Sequence, residues 1–317
     1  MKERYNVYSQ YLKNKYGEKV HKLPIFTVNT CPNRDGTLGR GGCDFCDEMG
    51  SGFNCLSNEI SVLEQIKKNK EFVTHRYKAK LFIAYFQAFS NTYLPFEQFK
   101  ENILQATNDP DIVEIAISTR PDCINNQYLE FLQSIQENKN IEINIELGLQ
   151  TVNYHILNEI NRGHTLAEFI DAALQVKKKG MTITTHLILN LPTSNMVDAI
   201  ESAKIVSALN IDFVKLHSLY IVQGSVLADK IQKNQMEICS SEEYVNRIIS
   251  FLEYLDPNII VQRLVARGPK DKTIFENWNR SWWSIKQEIE AALETRNTYQ
   301  GRCFNYLSGK ALRLKFQ

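Results

Sequence analysis

Three cysteines that lie close together in the sequence could bind iron or zinc. Cys43 and Cys46 are separated by two residues, and eleven residues separate Cys31 from Cys43. Two cysteines at this spacing can direct both sulfur atoms at one metal centre, and the glycine-rich segment 36–42 can bring in the third. A structural zinc site takes four ligands, whereas a 4Fe-4S cluster held by three thiolates keeps one iron free to bind another molecule. The spacing favours the cluster; the alternatives are zinc with Cys55 as fourth ligand, or cysteines that only pack in a core.

The same loop resembles that of a known enzyme family. A three-cysteine loop after a predicted first strand, with Phe45 directly before the last cysteine, resembles the cluster-binding loop of radical S-adenosylmethionine (SAM) enzymes. Its long first gap is similar to that of the branch that includes the elongator catalytic subunit. The resemblance implies that Cys31, Cys43 and Cys46 hold a 4Fe-4S cluster and that SAM binds the free iron, beside Phe45. It also implies an external electron donor of the flavodoxin or ferredoxin type.

Polar residues after the predicted strands are candidates for SAM binding. Many related enzymes use a Gly-Gly-Glu motif to hold the methionine amino group of SAM, and this sequence lacks that motif. We expect Gln87 or Thr92 to replace it; the alternative is an ordinary polar loop before the next helix. By the same resemblance, Gln150 contacts the ribose hydroxyls, and Arg162, twelve residues later, pairs with the methionine carboxylate.

Two further segments resemble SAM-binding segments of this family. Ser118 and Arg120 lie in one that is similar to the elongator-type branch, and the planar guanidinium of Arg120 could bind an anionic group. Its alternative role is an ion pair with Asp122. The second segment begins at His186 and resembles a ribose or adenine contact, although Asn190 stands where the family usually has glycine. A histidine on a strand is more often a hydrogen-bonded core residue, which is the alternative for His186.

The elements that must position these residues follow an alternating pattern. Strands and amphipathic helices alternate along the chain, which is typical of a parallel sheet covered by helices. The predicted strands span 24–29, 81–86, 112–118, 141–147, 182–189, 213–220 and 259–265. The predicted helices span 57–72, 96–107, 125–137, 153–179 with a break near Gly163, 195–209, a segment from Ser240, and 281–294. The family resemblance implies the same α/β fold, a partial six-stranded (βα)6 TIM-like barrel with a parallel sheet and a C-terminal extension. In such barrels the chemistry lies at the carboxyl ends of the strands.

We expect three parts along the chain, and their charges differ. They are a basic N-terminal extension over 1–23, a radical SAM partial barrel over 24–220 with the cluster loop at 31–46, and a C-terminal α/β extension over 221–317. Residues 1–24 carry a net charge of +4 and residues 260–317 one of +6, although the whole chain is only +1. A nucleic-acid backbone would therefore favour the two ends over the acidic middle.

Composition favours a cytoplasmic protein without membrane partners. No run of about eighteen apolar residues occurs, and the N-terminus is polar. Seven cysteines without a secretion signal predict reduced thiols rather than a disulfide framework. Core packing is the default role of the four cysteines outside the motif, Cys55, Cys123, Cys239 and Cys303.

Three sequence segments indicate the substrate class by resemblance. The segments 31–37, 119–123 and 161–165 are similar to those of a bacterial subfamily linked to maturation of the tRNA wobble uridine. The resemblance implies that a 5′-deoxyadenosyl radical takes a hydrogen from the side-chain methylene at position 5, between the carboxymethylaminomethyl and aminomethyl forms, so that the carboxymethyl group is lost. The basic residues expected to face tRNA are Arg263, Arg267, Lys270 and Lys272.

Other functions and contacts stay open at this stage. The alternatives are a radical SAM enzyme with a non-tRNA substrate and a non-catalytic iron–sulfur sensor or RNA-binding protein. A methylthiotransferase is disfavoured because no further cysteine precedes Cys31.

Three tryptophans near the C-terminus, Trp278, Trp282 and Trp283, could stack on bases. Packing against the barrel is the alternative, and we favour it for two of the three tryptophans.

Overall fold

A curled parallel sheet forms the centre of the molecule. The computed structural model describes residues 3–28, 30–50, 52–269 and 271–316. Its strands are β1 (Val20–Ile25), β2 (Leu81–Phe86), β3 (Ile112–Thr119), β4 (Glu142–Gln150), β5 (Thr182–Ile188), β6 (Phe213–His217), β7 (Tyr220–Val222), β8 (Ile260–Arg263) and β9 (Thr273–Glu276). Seven of them form one all-parallel sheet in the order β1-β2-β3-β4-β5-β6-β8. The predicted α/β partial barrel is confirmed, with β8 as a seventh strand.

Helices surround this sheet, most of them on its outer face. They are α1 (Tyr8–Tyr16), α2 (Val62–Tyr77), α3 (Phe96–Ala106), α4 (Asn126–Lys139), α5 (Tyr154–Glu159), α6 (Leu166–Lys178), α7 (Met196–Ala208), α8 (Val226–Gln232), α9 (Ser241–Tyr254), α10 (Trp282–Thr295) and α11 (Lys310–Phe316). Short 3-10 helices span Pro121–Cys123 and Asn277–Asn279. None of the helices in the described ranges combines the length and apolar character that a membrane span requires.

The two faces of the sheet differ in chemistry. Along β4, Ile143, Ile145 and Leu147 point outward into the main hydrophobic core beneath the helices. The intervening residues Asn144 and Glu146 are fully buried on the inner face. Parallel strands that are covered on both faces are normally apolar on both. A polar inner face is therefore a departure that a site inside the barrel would explain.

Helix α1 covers the inner face near the amino ends of the strands. The rings of Tyr8 and Tyr11 pack edge-on against Phe213, with centroids 5.7 and 5.3 Å away. Leu12 is buried in a small cluster with Ile83 of β2. The chain before α1 also pairs with the last strand of the sheet, because the Val261 amide donates to the Asn6 carbonyl at 2.8 Å.

Two predicted elements lie at different positions in the structure. The first strand was expected at 24–29 but spans Val20–Ile25, and the following helix was expected at 57–72 but begins at Val62. The helix starts later because Ser61 is its N-cap, whose hydroxyl accepts a hydrogen bond from the Glu64 amide at 3.2 Å. The predicted break near Gly163 is confirmed as the gap between α5 and α6.

Candidate active site

One cavity of about 520 Å³ inside the barrel collects the residues that the sequence nominated. It lies at the carboxyl ends of the strands, where enzymes with barrels of this type perform their chemistry. Ten of the nominated residues line it: Cys31, Cys43, Phe45, Cys46, Gln87, Ser118, Arg120, Gln150, Arg162 and His186. Thr92 does not line the cavity, because its hydroxyl lies 2.6 Å from that of Thr119 and donates to the Cys123 carbonyl at 2.7 Å.

The cysteine loop is anchored to the segment between α5 and α6. The Asn33 side-chain amide donates to the Asn161 carbonyl at 2.6 Å, and the Asn161 side chain donates in return to the Gly42 carbonyl at 2.8 Å. Gly163 has a φ of +78°, and a Cβ at this position would lie 2.6 Å from the Asn33 side-chain oxygen. Glycine therefore allows the close approach of two segments that are far apart in the sequence.

The sulfur atoms have the surroundings of buried ligands. Cys31 and Cys43 are buried and all three cysteines are free thiols. Arg162 Nη1 donates to the Cys43 sulfur at 3.4 Å and Asn33 at 3.7 Å, and hydrogen bonds of this kind tune cluster sulfurs. Burial raises the pKa of Cys46 to about 12, so a positively charged centre is needed to bind it as a thiolate. In the described ranges, no three His, Cys, Asp or Glu residues form a single-ion site.

Two buried arginines face the cavity in different states of pairing. Arg120 forms the ion pair with Asp122 that was its alternative role, through Nε at 2.8 Å and Nη2 at 2.5 Å. Arg162 donates from Nη2 to the Gly148 carbonyl at 2.6 Å, while its buried Nε has no partner among the described residues. Gly148 leaves room for this contact, since a Cβ there would lie 2.8 Å from Arg162 Nη2. An anion in the cavity would satisfy Arg162 more readily than Arg120.

Gln150 and Gln87 reach the cavity from strand ends. Gln150 is the last residue of β4 and has a φ of +75°, next to a register shift between β4 and β5. Non-glycine residues in this conformation cluster at functional sites. Gln87 directly follows β2, and its amide donates to the Ile25 carbonyl at 3.1 Å.

A charged cluster inside the barrel had not been predicted. Its centre is Glu146, whose side chain is 0% exposed. Lys22 Nζ donates to one carboxylate oxygen at 2.5 Å and Lys215 Nζ to the other at 2.9 Å. His186 Nε2 lies 2.7 Å from that second oxygen, and Lys215 also donates to the Tyr85 hydroxyl at 2.8 Å. A polar residue at every second place of otherwise apolar strands was the signal that could have revealed this cluster.

Burial and mutual charge set the protonation of this cluster. Burial alone would raise the pKa of Glu146, but Lys215 and Lys22 hold it well below its usual range. Burial, with Lys22 and Arg263 nearby, lowers the pKa of Lys215 to about 7. Burial and the charge of Lys215 lower the pKa of His186 to about 4. At neutral pH the carboxylate is therefore ionised and the imidazole is neutral.

The basic residues expected to face tRNA occupy different places. Arg263 and Arg267 both line the cavity, and Arg267 and Lys272 are exposed to solvent. Lys270 lies outside the described residues. Arg263 is half-buried at the end of β8, so its side chain lies deeper in the barrel than the exposed Arg267 and Lys272.

The tryptophans divide as expected, two packed and one exposed. Trp278 donates its ring N–H to the Cys239 carbonyl at 2.7 Å and packs on Tyr244. Trp282 packs against the main core and stacks with Trp283 at a centroid distance of 4.2 Å. Trp283 is 55% exposed.

Comparison with known proteins agrees with the site. The model of the Radical SAM superfamily matches residues 26–206, and that of the Radical_SAM C-terminal domain matches 211–295. The Bacillus subtilis protein YtqA is 32% identical over 96% of this chain and 94% of its own length. The tRNA uridine(34) acetyltransferase of Methanocaldococcus jannaschii is 26% identical over 56% of this chain and 32% of that protein.

Among solved structures, the fold is similar to that of an archaeal Elp3. The Methanocaldococcus infernus Elp3 with an N-terminal deletion matches with a TM-score of 0.66 and 16% identity. The match covers 89% of this chain and 64% of the Elp3 chain, so this chain spans less than two thirds of that protein. At this identity the likeness concerns the fold alone. Because the superfamily model matches more than half of the sequence, the chain belongs to the Radical SAM superfamily and is a radical SAM enzyme, with a 4Fe-4S cluster and SAM as its cofactors.

Proposed function

We propose that this radical SAM enzyme modifies the wobble uridine of tRNA, at the step between the carboxymethylaminomethyl and aminomethyl forms at position 5. The observation that carries the proposal is that the nominated cofactor residues and the basic residues Arg263 and Arg267 line the same cavity. The resemblance of segments 31–37, 119–123 and 161–165 to a wobble-uridine subfamily supports it. The similarity to a protein named for tRNA uridine(34) supports the substrate class.

The cofactors fit the residues around this cavity. Cys31, Cys43 and Cys46 would hold the cluster, since three free thiols on one cavity leave one iron for SAM. Arg162 would bind the methionine carboxylate of SAM, because its buried Nε is a donor without a partner in the described part of the chain. Gln150, held at the end of β4, would contact the ribose.

The remaining nominated residues would shape the space around SAM. When bound, the cluster and SAM would supply the radical chemistry that removes a hydrogen atom from a C–H bond of the substrate. Phe45 would cover the cofactor beside the cysteines, and Gln87 would hold its amino group. Ser118 and His186 are fixed by hydrogen bonds to Tyr85 and Glu146, so they present rigid polar surfaces. These residues orient the reactants and exclude water.

The partners would approach from the open end of the barrel. We propose that residues 24–220 hold the cofactors and that the extension 221–317 binds tRNA through Arg263, Arg267, Lys270 and Lys272. The basic helix α11 adds Arg313 and Lys315 to this extension. A flavodoxin- or ferredoxin-type protein would supply the electron.

Mass spectrometry of tRNA nucleosides tests the proposal. Cells that lack this gene should accumulate carboxymethylaminomethyl uridine, and the wild-type gene should restore the later forms. Cys43→Ala should not restore them, because the cluster would lose a ligand. An unchanged nucleoside profile in the deletion strain would remove tRNA as the substrate.

The alternatives give different results in the purified protein. The enzyme, with its cluster reconstituted anaerobically, should form 5′-deoxyadenosine from SAM, and Cys43→Ala should abolish this product. Formation of 5′-deoxyadenosine together with an unchanged tRNA profile would favour a non-tRNA substrate. A protein that binds the cluster but cleaves no SAM would favour the sensor or RNA-binding function.

A further inference from the structure

Arg263 is a guanidinium inside the barrel that lacks a counter-ion. Its Nη2 lies 2.6 Å from the Nδ1 atom of His217, and its Nε donates to the Leu216 carbonyl at 3.4 Å. Burial and the charge of Arg263 hold the pKa of His217 well below its usual range, so the imidazole is neutral. Both hydrogen-bond partners of Arg263, this imidazole and the Leu216 carbonyl, are therefore uncharged. Within the ranges that the structure describes, no carboxylate forms an ion pair with Arg263. A half-buried guanidinium without a counter-ion is partly desolvated, which is unfavourable unless a ligand offsets it.

The surrounding cluster cannot supply the missing negative charge. Glu146 is already bound by Lys22 and Lys215, which occupy both of its oxygens. Lys215 is paired with Arg263 in the register of β6 and β8, so the two cations are neighbours on the same wall of the cavity. This wall therefore carries more positive than negative charge, and it favours an anion.

The cofactor carboxylate is accounted for elsewhere in the cavity. Arg162, to which we assign it, contacts the Gly148 carbonyl on β4. The Arg263 guanidinium lies against His217 on β6, and one strand separates β4 from β6, which corresponds to roughly 10 Å along the sheet. One carboxylate cannot reach both arginines, so Arg263 is available for an anion that belongs to the substrate.

We propose that Arg263, with Lys215 beside it, binds the carboxylate of the substrate and so selects a wobble side chain that ends in a carboxymethyl group. The inference rests on the proposed function for the identity of that substrate. The planar fork of arginine suits a carboxylate, which it can bind through two parallel hydrogen bonds. A phosphate of the RNA has similar chemistry, and the experiment must separate the two sources.

Binding of two synthetic anticodon stem-loops separates them. One carries carboxymethylaminomethyl uridine at the wobble position, and the other carries the same group with its carboxylate replaced by a primary amide. Fluorescence anisotropy of the anaerobic enzyme should show about tenfold tighter binding of the carboxylate RNA, which corresponds to about 1.4 kcal/mol. In Arg263→Gln this ratio should fall to about one, through loss of affinity for the carboxylate RNA alone.

Two further variants and one control measurement complete the test. Arg263→Lys should keep part of the preference for the carboxylate RNA. Arg267→Gln should weaken the binding of both RNAs equally if that exposed residue contacts phosphate. Iron content and SAM affinity that match the wild type show that Arg263→Gln is folded. A carboxylate preference that persists in Arg263→Gln, or equal weakening of both RNAs by this variant, overturns the inference while the proposed function stands. If the wild type binds neither RNA, both this inference and the proposed function are contradicted.

Discussion

At the scale of single residues, the site depends on how a few buried charges are paired. Glu146, Lys22 and Lys215 form a compact ionic cluster on the inner face of the barrel. Removing one partner of such a cluster leaves a charge that is buried without compensation, which costs more than the intact pair contributes. Arg162 and Arg263 differ from these residues, because each has donor capacity that a bound carboxylate could satisfy.

Glu146→Gln should destabilise the protein by about 3 kcal/mol at pH 7, because Lys22 and Lys215 would lose their carboxylate. Denaturant unfolding measures this loss. The control is Glu142→Gln, in which a 38% exposed carboxylate loses its surface pair with Lys15 and the cost should stay below about 1 kcal/mol. Equal losses of unfolding free energy in Glu146→Gln and Glu142→Gln would contradict a larger contribution of the buried cluster to stability.

The stabilisation by Glu146 should also depend on pH. Its pKa in the folded protein is held below the usual value of 4.5. Its contribution is therefore fully present above pH 4.5 and is lost as the pH falls through its folded pKa. The difference in unfolding free energy between wild type and Glu146→Gln should shrink below about pH 4.5. A difference that stays constant as the pH falls below 4.5 would contradict the depressed pKa.

Lys215 gives a pH dependence of the same sign at higher pH, because folding lowers its pKa as well. Its pKa is about 7 in the folded protein against 10.5 in the unfolded chain, so the unfolded state binds more protons between these values. The wild type should therefore gain stability relative to Lys215→Met between pH 7.5 and 9.5. Lys204→Met, which changes a surface lysine paired with Glu201, should show no such trend. If the unfolding free energies of wild type and Lys215→Met change with pH in parallel, Lys215 is not desolvated in the folded protein.

At the scale of elements, the residues at the strand ends were predictable, whereas the alternating polar residues gave a signal for the buried charged cluster but not for its ion pairs. Strand ends and loop motifs are local in the sequence, so the ten nominated residues that line the cavity could be found from the sequence and family resemblance. The ion pairs of Glu146 join residues that are 124 and 69 positions apart. No local pattern links such residues before the sheet order and register are known.

Polar residues also explain why two elements, β1 and α1, were misplaced or missed in the sequence analysis. β1 reads VHKLPI, and its inward-facing Lys22 interrupts the apolar pattern, so the more apolar 24–29 was preferred. α1 was missed because only Leu12 is buried among its nine residues. Apolar periodicity detects elements that bury an apolar face, and these two bury polar side chains or aromatic edges instead.

The docking of the cysteine loop on the segment after α5 can be tested with two glycines. Gly163 and Gly180 both have positive φ, at +78° and +71°, so alanine is strained at either position. At Gly180 no atom lies within 4 Å of the added Cβ, whereas at Gly163 it would meet Asn33. Gly180→Ala should cost about 1 kcal/mol. Gly163→Ala should cost more and should lower the iron content after reconstitution, and equal behaviour of the two variants would argue against the docking.

At the scale of the whole molecule, charge is unevenly distributed along the chain. The acidic middle of the sequence forms most of the barrel, and the net positive charge is carried by its two ends. The N-terminal end has a structural role, because α1 packs inside the barrel. The C-terminal extension is the part whose exposed basic residues, Arg267 and Lys272, face solvent near the cavity. Binding of an RNA phosphate backbone should therefore depend on this extension.

The salt dependence of tRNA binding tests this distribution. Each lysine or arginine that neutralises a phosphate releases a counter-ion, so the logarithm of affinity falls linearly with the logarithm of salt concentration. Arg267→Gln should weaken binding and reduce the slope by about one. Lys100→Gln on α3, which lies in the outer helical layer and pairs with Glu97, should leave the slope unchanged. If both variants keep the wild-type salt slope, the phosphates are bound elsewhere. A salt slope that is reduced in Arg267→Gln alone places the RNA backbone at the mouth of the cavity, next to the carboxylate site assigned to Arg263.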